Sequence, residues 1–156
     1  MVEVEIPGYA SLRLKHLVLD YNGTLAIDGR LLPGVRRRLR TLSRVLEIHV
    51  VTADTFGAAR AALAGLPCRV LILPTRRQDR AKLAYVQRLG AVQTACIGNG
   101  RNDRLMLKAA ALGIAVLQGE GAAGVTLAAA DIVMPAIAEA LDLLANPLRL
   151  IASLRS

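Results

Sequence analysis

The chain predicts a three-layer, doubly wound α/β fold built on a mostly parallel sheet. Three observations predict it. Six short apolar runs are continuous rather than alternating, as strands buried on both faces require. Segments with helix start and stop signals lie between those runs, so strand and helix alternate along the chain. With 156 residues, 54% of them hydrophobic, the chain is long enough for one domain, 1–156, with a sizeable core.

The elements follow in order. The opening alternates at Val2, Val4 and Ile6, turns at Pro7-Gly8 and resumes at Leu12 and Leu14. Alternation marks a half-buried strand, so this stretch reads as a short antiparallel hairpin or an edge strand. Core strands are expected over residues 16–19, 48–51, 70–73, 94–97 and 114–117, with a weaker one over 131–134. A helix over 33–46 starts with Pro33 at a first-turn position. One over 55–63 follows Asp54, an N-cap residue type. Helices over 79–89 and 102–112 stop at Gly90 and Gly113, where glycine accommodates the left-handed C-terminal turn. Residues 137–144 and 147–154 give one or two more. The arrangement is Rossmann-like, and in such sheets sites form outside the carboxyl ends of the strands. Asp20, Thr52 and the run Asn99 to Asp103 all fall at such ends.

Composition excludes several function classes. A membrane span needs roughly 18 apolar residues in succession. The best run, from Ala109 to Gly119, is shorter and meets Glu120. The N-terminus Met-Val-Glu-Val-Glu has no basic or apolar leader pattern, so no signal peptide and a cytoplasmic location are expected. Cys68 and Cys96 read as small buried thiols without a disulfide. No pair of Cys or His has metal-ligand spacing in the sequence. The net charge of +8 admits anionic partners. Aromatic residues make up only 3%, too few for a base-stacking platform, so nucleic acid is not the expected partner. The arginines at 36–38 and 40, and at 76, 77 and 80, read as solvated helix faces.

Four stretches carry chemistry. Asp20-Tyr21-Asn22-Gly23-Thr24 follows the first core strand, and Thr52 ends the second. Lys82 lies near the start of a helix. Gly98-Asn99-Gly100-Arg101-Asn102-Asp103 follows a later strand. Lysine is rare here: Lys15, Lys82 and Lys108 stand against seventeen arginines. A compact ammonium at residue 82 is therefore not this chain's habit. Asp28 and Asp54 read as turn and cap residues, His49 as a packed or edge histidine, and His16 carries no signal.

In order and spacing these stretches resemble the haloacid dehalogenase (HAD) superfamily, whose nucleophile loop reads Asp-x-Asp-Gly-Thr. The segment 110–116, continuing to 130–133, resembles more narrowly the phosphorylation domain of P-type ATPases. The resemblance implies a HAD-like fold and a phosphohydrolase in which Asp20 attacks phosphorus. It implies Mg²⁺ held by Asp20, the Asn22 carbonyl, and Asn99 or Asp103. It assigns phosphate binding to Gly23, Thr52, the Ala53 amide and Lys82. Gly98 and Gly100 would permit close backbone approach.

Two positions depart from the pattern. Asn22 stands where the general acid is expected, and an amide neither protonates a leaving group nor activates water. Asn99 replaces an aspartate, so one charge is missing at the metal. The stretch from Leu25 to Ala81 is filled by β/α units, so neither a cap domain nor a nucleotide-binding insert is expected. Without that insert or a membrane span, an ion pump is excluded. The implied function is a slow, capless, Mg²⁺-dependent phosphohydrolase, with a phosphorylated small molecule or phosphoprotein as substrate and a homo-oligomeric neighbour as a candidate lid. The alternative is a catalytically impaired phosphate-, nucleotide- or metal-binding regulatory module.

Overall fold

The computed structural model describes residues 1–54 and 57–156. It opens with β1 (Val2–Ile6) and β2 (Ala10–Leu14), paired antiparallel with Val2 opposite Leu14. The pair forms its own two-stranded sheet, so the hairpin expectation holds and the edge-strand alternative does not.

The main sheet has six parallel strands: β3 (His16–Asp20), β6 (Glu47–Thr52), β7 (Arg69–Ile72), β8 (Thr94–Gly98), β9 (Leu112–Val116) and β10 (Ile132–Met134). Their order is β10-β9-β8-β3-β6-β7. The chain winds outward from β3 to β7, returns to β8 on the other side of β3, and winds outward again. The reversal lies between β3 and β8, and ligand sites in doubly wound sheets open at that switch point. Between β3 and β6 the strands β4 (Ala26–Ile27) and β5 (Arg30–Leu31) form a minimal hairpin. Asp28 turns it with φ 50°, as expected of a turn residue.

Successive strand residues point to opposite faces. Leu17, Leu19, Ile48, Val50, Ile97 and Ile114 pack on one side. There they meet α1 (Val35–Leu42), α2 (Ala58–Leu63), α6 (Ile137–Ala145), α7 (Leu148–Leu154) and the β1–β2 hairpin. Val18, Val51, Cys96 and Ala115 face the other way, onto α3 (Gln78–Leu89), α4 (Arg104–Ala109) and α5 (Gly124–Ala129). The result is three layers, with β3, β6, β8 and β9 buried on both faces as expected, while the edge strands β7 and β10 are partly exposed, at Ile72 and Val133.

Two helix expectations need correction, and a third lies partly outside the described residues. The helix expected from Pro33 begins at Val35, because Gly34 at φ 78° places the chain in the left-handed region just before it. It ends at Leu42, short of 46, in turns held by the Leu42 carbonyl. The helix expected over 55–63 is described from Ala58; Thr55 lies outside the described residues. Asp54 still accepts a hydrogen bond from the Ala59 amide at 3.0 Å. The helix expected over 102–112 is a 3₁₀ turn, Arg101–Asp103, followed by α4, and it stops at Ala109. Leu112 and Gly113 belong to β9, where Gly113 lets the Leu107 carbonyl pack against the strand.

Candidate active site

Asp20 ends β3, Thr52 ends the adjacent β6, and the loop from Asn99 to Asp103 follows β8 on the other side of β3. The topology thus gathers all of them at the carboxyl end of the sheet. A cleft of about 390 Å³ opens there, lined by Asp20, Asn22, Thr52, Ala53, Gln78, Asn99, Gly100, Asn102 and Glu120.

Lys82 and Asp103 form the floor beneath this cleft, with 1% and 0% of their surfaces exposed. α3 delivers Lys82, whose Nζ donates to Asp20 Oδ1 at 2.7 Å and to Asp103 Oδ1 at 2.6 Å. Asp103 Oδ2 accepts from the backbone amides of Asn99 (3.0 Å) and Gly100 (2.9 Å), which folds the loop around the carboxylate. Gly98 makes this possible, since a Cβ there would lie 2.5 Å from Asp103 Cγ.

Above the floor, Thr24 Oγ1 stands 3.3 Å from Asp20 Oδ2 and 3.1 Å from Asn99 Oδ1. The Asn99 amide group donates to the Gly121 carbonyl at 2.9 Å, which leaves its oxygen to accept from Thr24. Gly23 adopts φ 80°, and the space its Cβ would fill is taken by the Asn99 side chain. The Asp20 loop is tied down further by Gln118, which donates to the carbonyls of Gly23 (3.0 Å) and Thr24 (2.6 Å).

Burial, and then repulsion from Asp103, push the Asp20 carboxyl up to about 7 against the pull of Lys82 and Thr24. Burial alone would lower the Lys82 ammonium, but the two carboxylates outweigh it and raise it.

Energetics bear on what the trio is for. Desolvating each ion costs several kcal/mol, and an apolar set of similar volume is often neutral or better by about 1–4 kcal/mol. Three charged groups stacked under a cleft are a poor device for stability. Strongly perturbed ionisable groups in a cleft make it a candidate site of chemistry.

The structure gathers every predicted site residue at one end of the sheet, at two depths. Asp20, Asn22, Thr52, Ala53 and Asn99 line the cleft, Gly23 lies behind them against the Asn99 side chain, and Lys82 and Asp103 lie under it. Sequence reasoning missed Thr24 and Gln118 as the groups that hold the loop. It also missed Gln78, which accepts from Asn102 at 2.8 Å across the cleft wall. Glu120 was missed as well, although it is the cleft-lining carboxylate besides Asp20. Its setting between Gly119 and Gly121, the latter at φ 70°, was the available signal for a functional turn. The donors facing the cleft near Asp20 are oxygens, a set that suits Mg²⁺.

The sheet order and layers are those of the HAD-like fold. Solved structures share it. A 3-deoxy-D-manno-octulosonate 8-phosphate phosphatase from Moraxella catarrhalis, in complex with magnesium, phosphate and KDO, superposes with TM-score 0.69 at 17% identity over 90% of both chains. The cobalt-bound deoxy-D-mannose-octulosonate 8-phosphate phosphatase from Haemophilus influenzae gives 0.70 at 19% identity over 90% of both. A third such phosphatase, from Yersinia pestis, gives 0.68 at 18% identity, covering 90% of this chain and 84% of that one. No family model matches the chain.

Two uncharacterized proteins of Methanocaldococcus jannaschii are similar in sequence. One is 54% identical over 59 residues, which is 38% of this chain and 63% of that protein's length. The other is 46% identical over 39 residues, which is 25% of this chain and 89% of that protein. The chain belongs to the same family as this second, shorter protein.

Proposed function

We propose that the chain is a Mg²⁺-dependent phosphohydrolase of the HAD type that works through a phosphoryl-enzyme intermediate on Asp20. The observation that carries the reading is Lys82 Nζ held between Asp20 Oδ1 and Asp103 Oδ1 under an open, oxygen-lined cleft. The phosphatase neighbours, one of them holding magnesium and phosphate, support it.

When bound, Mg²⁺ would supply charge screening between the Asp20 carboxylate and an incoming phosphoryl group. Asp20, the Asn22 carbonyl and the Asn99 amide oxygen would hold it. Asp103 lies deeper and orients Lys82 and the loop. An Asp20 oxygen attacks phosphorus, and the bond from phosphorus to the leaving oxygen breaks with its electron pair. Lys82, Thr52 and the Ala53 amide would steady the phosphoryl oxygens. Water then attacks phosphorus, the bond to Asp20 breaks, and the carboxylate is restored as phosphate departs.

Asn22 gives no proton to the leaving oxygen and takes none from the water, so both steps rely on solvent. Slow turnover follows, with a preference for leaving groups that need little protonation, such as acyl or nucleotide phosphates. A capless site open to solvent fits a large substrate, a phosphoprotein, or a small phosphate ester covered by a neighbouring copy of the chain. The narrower likeness to P-type ATPases rests on residues 110–116 and 130–133 of the sequence. Among the described residues no helix is long and apolar enough to cross a membrane.

The second reading, a phosphate- or metal-binding module without turnover, is favoured by Asn22 and Asn99, which remove two carboxylates from the expected set. A panel of phosphate esters and acyl phosphates assayed with Mg²⁺ separates the two. Release of phosphate by the natural chain, lost in Asp20→Asn, supports the enzyme. Saturable phosphate binding with no release from any substrate would favour the module.

A further inference from the structure

The strands that end in Asp20 and Thr52 begin with another cluster, at the opposite edge of the sheet. The β3–β6 register sets His16 opposite Glu47 and Val18 opposite His49. His16, Glu47 and His49 therefore project on one face, the face covered by α3. His16 Nδ1 lies 3.2 Å from His49 Nε2 and 3.7 Å from Glu47 Oε2. One ligand atom from each of the three lies within 4.8 Å of the others.

This is the geometry of a partial coordination shell. Two nitrogens at about 2.0–2.1 Å from a tetrahedral zinc ion stand roughly 3.3 Å apart. His49 is fully buried, and its other nitrogen, Nδ1, lies 2.8 Å from the Tyr85 hydroxyl. Ligating histidines characteristically have the second ring nitrogen fixed by such a partner. The Glu47 side chain is 60% exposed and that of His16 15%, so the cluster opens outward and leaves a position for water. A hydrogen bond between the two rings accounts for one contact, and His16 Nδ1 meets the Glu47 carboxylate only at ion-pair range, beyond hydrogen-bond distance. Arg69 reaches that carboxylate only loosely, at 3.9 Å.

We propose that His16, Glu47 and His49 form a binding site for a divalent transition-metal ion of the zinc class, with Tyr85 fixing the His49 ring. Imidazole with carboxylate selects Zn²⁺, Co²⁺ or Ni²⁺ over Mg²⁺, whereas the all-oxygen cleft selects the reverse. The two sites lie at opposite ends of β3 and β6. α3 joins them, carrying Lys82 to one and Tyr85, three residues on, to the other. The ion clamps β3, β6 and, through Tyr85, α3, so its role is structural.

The test titrates the chelator-stripped natural chain with Zn²⁺ by calorimetry in excess Mg²⁺, and with Co²⁺ by visible absorption. One equivalent of Zn²⁺ is expected, with the intense bands of tetrahedral cobalt. His16→Ala and Glu47→Gln, checked for folding by circular dichroism, should each weaken binding at least about tenfold, and Tyr85→Phe by a comparable factor. Asp103→Asn, which leaves His16, Glu47 and His49 in place, should retain the cobalt bands once its folding is checked in the same way. Absence of saturable Zn²⁺ binding in excess Mg²⁺ overturns the proposal. So does binding that survives His16→Ala and disappears in Asp20→Asn, which would place the ion in the cleft.

Discussion

Lys82 Nζ stands 2.7 Å from Asp20 Oδ1, joining residues 62 positions apart at the floor of the cleft. With Asp103 at 2.6 Å on the other side, the ammonium separates two carboxylates that would otherwise face each other in a buried place. Removing one partner from a buried ion pair costs about 3–5 kcal/mol, because the remaining charge is left uncompensated. Lys82→Met should therefore abolish phosphate release and lower the free energy of unfolding by that order at neutral pH. The deficit should shrink in acid, where one carboxyl takes a proton. Urea unfolding of both proteins at two pH values checks this, and an equal deficit at both would contradict it.

Gly98 matters for the space it leaves to Asp103. A methyl group there would meet the carboxylate at 2.5 Å, and such overpacking typically costs about 1–3 kcal/mol. Gly98→Ala should lose that much stability and, by displacing Asp103 from Lys82 and the Asn99 loop, weaken Mg²⁺ binding. Thermal melts with and without Mg²⁺ report both effects. A stability loss with unchanged Mg²⁺ affinity would separate Asp103 from the metal.

Asn22 is exposed on the rim, bridged through its backbone to Ala26, so a carboxylate fits there without repacking the core. General acid–base assistance is worth roughly 10²–10⁴-fold. Asn22→Asp should raise steady-state phosphate release within that range and shift the preference toward poorer leaving groups. Asn99→Asp should instead tighten Mg²⁺ binding by restoring a charge. Phosphate-release kinetics across Mg²⁺ concentrations distinguish the two.

His49 predicts a pH dependence of stability in the metal-free protein. Burial first, then the neighbouring His16 and Arg69 charges, push its imidazole down to about 4 against the pull of Glu47. In the unfolded chain it takes a proton near pH ~6.5. Between those values the unfolded state binds the extra proton. Stability is thus lost as pH falls from about 6.5 to about 4, with no further loss from this group below. The difference in thermal midpoint between the natural chain and His49→Gln in chelator isolates the effect, because Asp20, raised to about 7, contributes the opposite slope to both proteins.

These residues also show what the sequence could and could not disclose. Strands β3, β6, β8 and β9 were legible because burial on both faces demands unbroken apolar runs, and the edge strands β7 and β10 carry shorter or partly exposed versions of the same pattern. The candidate site was legible as a cluster because Asp20, Thr52 and the loop from Asn99 to Asp103 follow the carboxyl ends of those strands, whereas Lys82 comes from α3. Boundaries failed where a glycine served two readings. Gly113 looked like a helix stop and is instead a strand residue under the Leu107 carbonyl. α5 was missed because Gly124–Ala129 is rich in small residues and carries little apolar periodicity. The β4–β5 hairpin has two residues per strand, too few to show alternation. The His16, Glu47 and His49 cluster was invisible as a pattern of spacing. Only the β3–β6 register brings residues 16 and 49 within 3.2 Å.

The central claim is that Asp20 is phosphorylated during turnover. Its most direct measurement is intact-protein and peptide mass spectrometry after acid quench of the natural chain mixed with Mg²⁺ and an acyl phosphate. One added phosphoryl group is expected, mapped to the peptide containing Asp20, absent in Asp20→Asn and shorter-lived in Asn22→Asp. Phosphate release by the natural chain with no phosphoryl group on that peptide at any quench time would contradict it.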